Sequence, residues 1–295
     1  MKVFVTGASG FVGSAIIPEL IQAGHKVIGL ARSEASASAI AAAGAEVHRG
    51  DLQDLDSLRS GAAKAEGVIH TGFVHDFSRF QEVCEIDRQA ISAIGEELKG
   101  SKRPFVITSG TGMGSMGHGQ IAKEDVFNRN EMNPRRISEI TGEEMVQKGV
   151  NVMALRLPQV HDPLKQGMIT FFIAIAKQKG VSAYVEDGKN CWPAVHRSDA
   201  ARLYRLVLEK GETGARYNAV GEEGVEARKI AEAVARGLNM PAVSVTNEEA
   251  AAHFGWLSMF ANLDMSASSA HTRKAMNWNP TGPTLLADLD QKQFV

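Results

Sequence analysis

Val3-Phe4-Val5-Thr6-Gly7-Ala8-Ser9-Gly10-Phe11-Val12-Gly13 joins an apolar strand to an amphipathic stretch that runs to Ala23-Gly24-His25. Three glycines at this spacing, directly after β-favouring residues and before a helix, read as a nucleotide-binding turn. Gly7 permits the sharp exit from the strand, Gly10 lets backbone approach a pyrophosphate, and Gly13 allows close helix–sheet packing. The free N–H groups of the helix start, with Ser9, Phe11 and Val12 around them, then face the phosphates. The plainer alternative is a strand–turn–helix that binds nothing.

Composition narrows the partners. The chain has 295 residues, about two domains' worth at ~150 each, with 32 basic and 34 acidic side chains and no dense basic block. Nucleic acid is not an expected partner. Cys84 and Cys191 match neither a metal spacing nor a disulfide framework, so free thiols and no metal are expected. No apolar run reaches the ~18 residues of a membrane span, and a strand starting at Lys2 leaves no room for a signal peptide. The expectation is a cytoplasmic protein that works on a small molecule, away from membranes.

Beyond the first helix, short apolar strands alternate with helical patterns. Strands are expected over Lys26 to Leu30, Ala45 to His48, Gly67 to His70 and Pro104 to Thr108, with helices over Ser33 to Ala43, Leu55 to Ala65 and Arg79 to Lys99. Parallel strands need crossover connections, so this rhythm specifies an α/β fold, a Rossmann-type doubly wound parallel sheet. The second strand ends Gly29-Leu30-Ala31-Arg32-Ser33. An acidic residue there would bond a ribose 2′-hydroxyl, whereas Arg32 suits a 2′-phosphate, which favours NADP(H). The bland reading leaves Arg32 exposed and Ser33 capping the next helix.

Thr6-Gly7-x-x-Gly10-x-x-Gly13 resembles the short-chain dehydrogenase/reductase superfamily in its extended or atypical branch, related to NAD-dependent epimerases and dehydratases. The resemblance is strong over the first 110 residues and loose beyond them. It implies a cofactor-binding domain over residues 1–162 and a smaller substrate-binding lobe over 163–295, with segments of the latter returning to the first domain. It also implies that Asp51 and Leu52 sit beside the adenine and that Thr71, Gly72 and Phe73 lie along the cofactor. Thr108-Ser109-Gly110-Thr111-Gly112 resembles the hydroxyl-bearing segment that bonds the substrate carbonyl. Ser109 or Thr111 could take that role, because Gly110 can occupy the usual serine position. Pro158 and Val160 resemble a segment that contacts the nicotinamide amide. Relatives often pair through the helices flanking the fifth strand, which leaves a homodimer open.

The family's Tyr-x-x-x-Lys is missing. Aligned through Ser138, Arg135 stands for Tyr and Glu139 for Lys, and Tyr184, Tyr204 and Tyr217 all lie downstream. Four residues apart on a helix, Arg135 and Glu139 could form an ion pair worth ~0.2–0.5 kcal/mol. In the functional reading, Glu139 accepts from ribose hydroxyls while Arg135 points at the substrate. Arg cannot release a proton at neutral pH, so a Ser/Thr hydroxyl, water or a histidine must supply it. His75, its tautomer set by Asp76, and His161 are the catalytic candidates; His196 and Asp199 read as structural. Phe254, Trp256, Phe260 and Trp278 read as core. The leading expectation is an NADP(H)-dependent oxidoreductase of a small apolar carbonyl, alcohol or enone. A non-redox isomerase or cyclase, or a cofactor-sensing regulator, are the alternatives. An open cleft above the nicotinamide would favour an enzyme, and a filled one with an exposed apolar patch the regulator.

Overall fold

In the computed structural model, residues 1–117, 119–130 and 132–291 are described. The first half is β1 (Lys2–Thr6), α1 (Gly13–Gln22), β2 (Lys26–Ala31), α2 (Glu34–Ala42), β3 (Glu46–Arg49), α3 (Leu55–Ala63), β4 (Gly67–His70), α4 (Phe80–Leu98), β5 (Phe105–Gly110), α5 (Ile137–Gln147) and β6 (Val152–Leu157). The second half is β7 (Gln159–His161), α6 (Ile169–Lys179), β8 (Ser182–Val185), β9 (Cys191–His196), α7 (Arg197–Lys210), β10 (Arg216–Asn218) and β11 (Glu222–Glu226), then α8 (Ala227–Leu238), β12 (Ala242–Val245), α9 (Asn247–Phe254), α10 (Ser258–Ala261), α11 (Ala270–Met276) and α12 (Leu285–Gln291).

Seven strands form one parallel sheet in the order β10-β6-β5-β4-β1-β2-β3. Strand order reverses at β1, which places the glycine turn at the carboxyl edge where open α/β sheets take ligands. Val3, Phe4 and Val5 are fully buried, as a parallel strand covered on both faces requires. Val3 and Val5 join the layer of Ile16, Ile17, Leu203 and Tyr204 from α1 and α7. Phe4 turns the other way, into Leu58, Ile91, Ile94 and Met145 from α3, α4 and α5.

After β6 the regular alternation of strand and helix gives way to shorter strands in two small sheets. The strands β11, β9 and β7 make a small mixed sheet, and β12 pairs with β8. Around them a second core gathers Ile169, Ile173, Trp192, Val234 and Leu289. α7 returns to pack on α1, and β10 extends the large sheet. Of the four aromatics expected in the core, Phe254 and Trp278 are buried, whereas Trp256 is 49% exposed. Cys84 is free and buried, and burial pushes its thiol up to about 11, so it is inert as a nucleophile. Among the described residues no helix is long and apolar enough to cross a membrane, and no cluster of acidic, His and Cys side chains could hold a metal.

Asp199 ties the end of the chain to α7. Its carboxylate accepts from the backbone N–H of Thr281 and Gly282 at 3.1 and 2.7 Å, and Trp278 Nε1 donates to its carbonyl at 3.1 Å. Charged acceptors of this kind contribute ~1.5–3 kcal/mol, and their loss strands buried donors. Asp199→Ala is therefore expected to lower the melting temperature by several degrees in a thermal unfolding scan.

Candidate cofactor and catalytic site

The glycine turn is closed by backbone contact. Gly7 has φ +67°, and a Cβ built on it would lie 2.7 Å from the backbone nitrogen of Gly72. A Cβ on Gly13 would lie 2.1 Å from the Gly7 carbonyl oxygen. Gly13 therefore makes room for the turn itself, where the sequence suggested packing against the sheet. Gly10 N–H donates to the Gly7 carbonyl at 2.8 Å, and no side chain caps the start of α1. An uncapped, positively polarised helix start beside a turn stripped of side chains fits the pyrophosphate of a dinucleotide.

Thr71 and Gly72 lie against this turn. Thr71 Oγ1 donates to the Thr6 carbonyl at 2.8 Å, and Gly72 N–H to Thr6 Oγ1 at 3.1 Å. Arg32 sits at the end of β2 with its side chain 76% exposed and its Nε 3.8 Å from Asp51. Ser33 caps α2, accepting from Ser36 N–H at 3.2 Å. Glu34 is drawn off by Arg49 at 2.6 Å, so it does not compete for Arg32. Asp51 accepts from Gln53 N–H at 2.9 Å in a tight turn, and Leu52 packs towards Gly72. Pro158 links β6 to β7, where Val160 is buried.

At the position expected to be catalytic, the polar groups turn inward. Asn133 accepts from Arg135 N–H at 2.9 Å and Pro134 begins the 3₁₀ turn that leads into α5. Arg135 then reaches down rather than out. Its Nη1 lies 2.7 Å from Asp87 of α4, Nη2 donates to the Thr108 carbonyl at 2.9 Å, and its guanidinium covers the Phe73 ring at 4.0 Å. Asp87 also receives Ser138 Oγ at 2.7 Å and lies 3.2 Å from His70, whose other ring nitrogen meets Thr6 Oγ1 at 2.7 Å. Burial works against ionising Asp87, yet Arg135, His70 and Ser138 hold its carboxyl below the usual range. Arg135 is thus a buried counter-ion, and it forms no pair with Glu139.

Glu139 is corrected as well. Its carboxylate is buried and held by Arg156 through two 2.8 Å bonds and by Arg216 at 2.8 Å. Burial would raise its pKa, but Arg156 and Arg216 carry it below the ordinary value. No lone pair is left pointing at a ribose. Arg156 itself is fully buried and donates onward to the carbonyls of Lys123 and Val126 at 2.9 Å, which pins the segment between β5 and α5.

Ser109 is buried, and among the described residues no side chain or backbone group hydrogen-bonds its hydroxyl. Thr111 is buried at the start of a 3₁₀ turn. Thr108 Oγ1 donates to the His70 carbonyl at 2.7 Å and meets Tyr204 at 2.7 Å. A Cβ on Gly110 or Gly112 would meet nothing within 4 Å. Both glycines therefore open onto free space.

The two histidines separate cleanly. His161 is fully buried, with Nδ1 2.6 Å from Asp288 of α12 and its ring 5.7 Å from that of His196. Burial dominates and lowers its pKa despite Asp288. It is structural, not catalytic. His75 is exposed at the cleft rim, edge-on to Phe73. Asp76 does not set its tautomer, being spent on Ser78 and Arg79 at the start of a 3₁₀ turn.

Beyond the sequence-based candidates, the structure adds Asp87, His70, Arg156 and Arg216 as the groups that sequester the Arg135 and Glu139 positions. It also adds Arg197, which bonds Ser14 of α1 at 2.7 Å and covers the Phe11 ring at 4.9 Å, bringing the start of α7 onto the glycine turn.

The model of the NAD dependent epimerase/dehydratase family matches residues 3–220. An uncharacterised protein of Schizosaccharomyces pombe is 46% identical over 290 residues, 98% of each chain. A decarboxylating sterol-4-alpha-carboxylate 3-dehydrogenase of Dictyostelium discoideum is 26% identical over 251 residues, 78% of this chain and 74% of that one. Among solved structures, the Thermus thermophilus UDP-glucose 4-epimerase in complex with NAD superposes with a TM-score of 0.76 at 19% identity, covering 100% and 99% of the two chains.

Removing one partner of a buried ion pair costs ~3–5 kcal/mol, because the other charge is left uncompensated. Asp87→Asn should accordingly lower thermal stability clearly at pH 7. Since the folded carboxyl titrates below its unfolded value of ~3.9, its contribution is present above that pH and lost as pH falls through the folded value. The gap between wild type and variant should narrow below about pH 4 in unfolding scans.

Proposed function

The chain belongs to the NAD-dependent epimerase/dehydratase family, and from that premise we propose that it is an NADP(H)-dependent oxidoreductase acting on a small apolar carbonyl, alcohol or enone. The observation that carries this reading is the contrast within one site. The glycine turn packs so closely on Gly72 and Gly13 that no side chain fits, which preserves a backbone cradle, while Arg135 and Glu139 stand where the usual Tyr and Lys would be. Hydride transfer is supplied by a bound nicotinamide itself, so redox chemistry survives the loss of Tyr where epimerisation through that Tyr would not. The free space beside Gly110 and Gly112 supports a cleft that admits a substrate.

Arg32 supports NADP(H) over NAD(H). Its guanidinium is exposed at the end of β2, and Glu34, the next acidic residue along the chain, is held by Arg49. Gly7, Ser9, Gly10, Phe11, Val12 and Gly13 would hold the pyrophosphate, and Thr71, Gly72 and Phe73 would line its path. A second reading, a cofactor-sensing regulator, draws on the sequestration of Arg135 and Glu139, which leaves neither free for chemistry.

Fluorescence titration with NADPH and NADH, followed by a panel of aldehydes and ketones, tests the proposal. NADPH should bind more tightly, and Arg32→Glu should weaken NADPH ~10–100-fold, the worth of a charge-assisted phosphate bond, while changing NADH little. Binding without turnover of any carbonyl would favour the regulator; absence of binding to either nucleotide would overturn both readings.

A further inference from the structure

Between the two lobes the structure assembles a continuous aromatic wall. Phe73, His75 and Phe77 lie on the segment after β4, Phe171 on α6 and Trp256 in the turn after α9. His75 stands edge-on to Phe73 at 5.6 Å and to Phe77 at 6.2 Å. Phe77 stacks on Trp256 at 5.4 Å and 20°, and both meet Phe171 at 6.2 and 5.7 Å. Phe171 and Trp256 remain 41% and 49% exposed, a large unburied aromatic surface. One end of this wall is Phe73, beneath the guanidinium that replaces the family's Tyr, so the wall begins where chemistry is expected.

His75 occupies the junction. Its ring reaches solvent, and three charged groups surround it: Lys165 from the segment after β7, Arg135 from the turn before α5, and neighbouring Asp76, already engaged by Ser78 and Arg79. Lys165 also lies over the Phe11 ring at 5.7 Å, so His75 stands where the glycine turn, the Arg135 position and the second lobe converge. Partial desolvation of the ring first, then Lys165 and Arg135, lower its pKa below the usual 6.5. The other candidate donors are withdrawn from the surface: Ser109, Thr111 and His161 are buried, Tyr204 is fully buried with its phenol pushed up by burial, and Arg135 is paired.

We propose that His75 exchanges the proton with the substrate oxygen, and that the wall of Phe73, Phe77, Phe171 and Trp256 selects flat aromatic carbonyl compounds. This rests on the oxidoreductase reading and names its proton donor and substrate class. When the carbonyl carbon gains hydride, the C=O π pair moves to oxygen, which takes the N–H proton of the His75 imidazolium. The ring becomes neutral and is recharged from water, so one hydride and one proton convert carbonyl to alcohol. In the reverse direction the neutral ring accepts the hydroxyl proton.

The test compares wild type, His75→Gln, Lys165→Met and Trp256→Leu with NADPH and two aldehydes of equal carbon count, planar benzaldehyde and puckered cyclohexanecarbaldehyde. Reduction by the wild type should fall as pH rises through the His75 pKa, because imidazolium is the donor, and oxidation of benzyl alcohol should rise over the same range. His75→Gln should lower kcat for benzaldehyde ~10²-fold, the lower end of general acid catalysis, with KM little changed and the pH dependence flattened. Lys165→Met should move the fall to higher pH, since a positive neighbour is removed. Trp256→Leu should raise KM for benzaldehyde ~10-fold, on the scale of one aromatic contact, and leave the puckered aldehyde within ~2-fold.

Two readouts need no turnover. Benzyl alcohol should quench the exposed part of the tryptophan fluorescence in wild type and not in Trp256→Leu. It should also shift the imidazole C–H resonance that disappears in His75→Gln. Equal handling of the two aldehydes, an unchanged pH profile in His75→Gln, or an undisturbed His75 resonance would each overturn the proposal. Failure of NADPH itself to bind would instead strike the oxidoreductase reading, and if NADPH binds without turnover, the quenching and resonance shifts still decide this one.

Discussion

Three backbone segments meet at Gly7 with no space for a side chain between them: the exit of β1, the loop that leaves β4 and the first turn of α1. The carbonyl of Gly7 faces Gly13 and its Cα faces Gly72, so substitution at Gly7 or Gly13 would force backbone apart rather than displace a flexible group. This contact fixes the distance between β1 and β4, and with it the place where the sheet's two halves diverge. Thr6 strengthens the same junction, bonding Gly72 above and His70 beside it. The cleft is thus set by sterics at the turn before any polar residue of the site is considered.

Below that cleft, electrostatics decides which residues are free. Replacing Tyr by Arg places a cation in a nearly dry position, and replacing Lys by Glu does the same for an anion. A charge in such a place needs a partner with good geometry. The obvious solution, pairing the two along the helix, is not adopted. Arg135 takes Asp87 from α4, and Glu139 takes Arg156 and Arg216 from two neighbouring strands. Each replacement is thereby tied to a different element, so α5 is clamped to α4 on one side and to β6 and β10 on the other. Both charges are met by a structural network, and Arg135 and Glu139 hold the site's floor.

The order of the first half was legible because parallel strands buried on both faces read as uninterrupted apolar runs, and glycine marks where they end. The second lobe was less legible for a physical reason: β7, β9 and β11 are short, carry charges such as Glu222 and Glu226, and pair with strands remote in sequence. The buried network had a visible signal. Asp87 sits on the stripe of Val83, Cys84, Ala90, Ile91 and Ile94 in α4, and Arg156 interrupts the apolar strand Val152–Leu157. A charge on an apolar face demands a buried counter-charge, yet sequence alone does not say which one. For His161 the sequence left a structural and a catalytic role open, and the contact with Asp288, 127 residues away, decides its surroundings.

Loss of the phenol does not remove the need for a proton. General acid–base catalysis is typically worth 10²–10⁴-fold, and a carbonyl that gains hydride without a donor must wait for water. Arg135 is tied to Asp87, which leaves Lys165, among the described residues, as the free cation near the rim. An imidazole between two cations is a workable complement: the same charges that lower its pKa make its proton easier to surrender once it is acquired. The arrangement separates tasks that Tyr-x-x-x-Lys joins on one helix. Positive charge comes from Lys165 after β7, while proton exchange moves to the loop after β4, on the side from which the aromatic wall presents substrate.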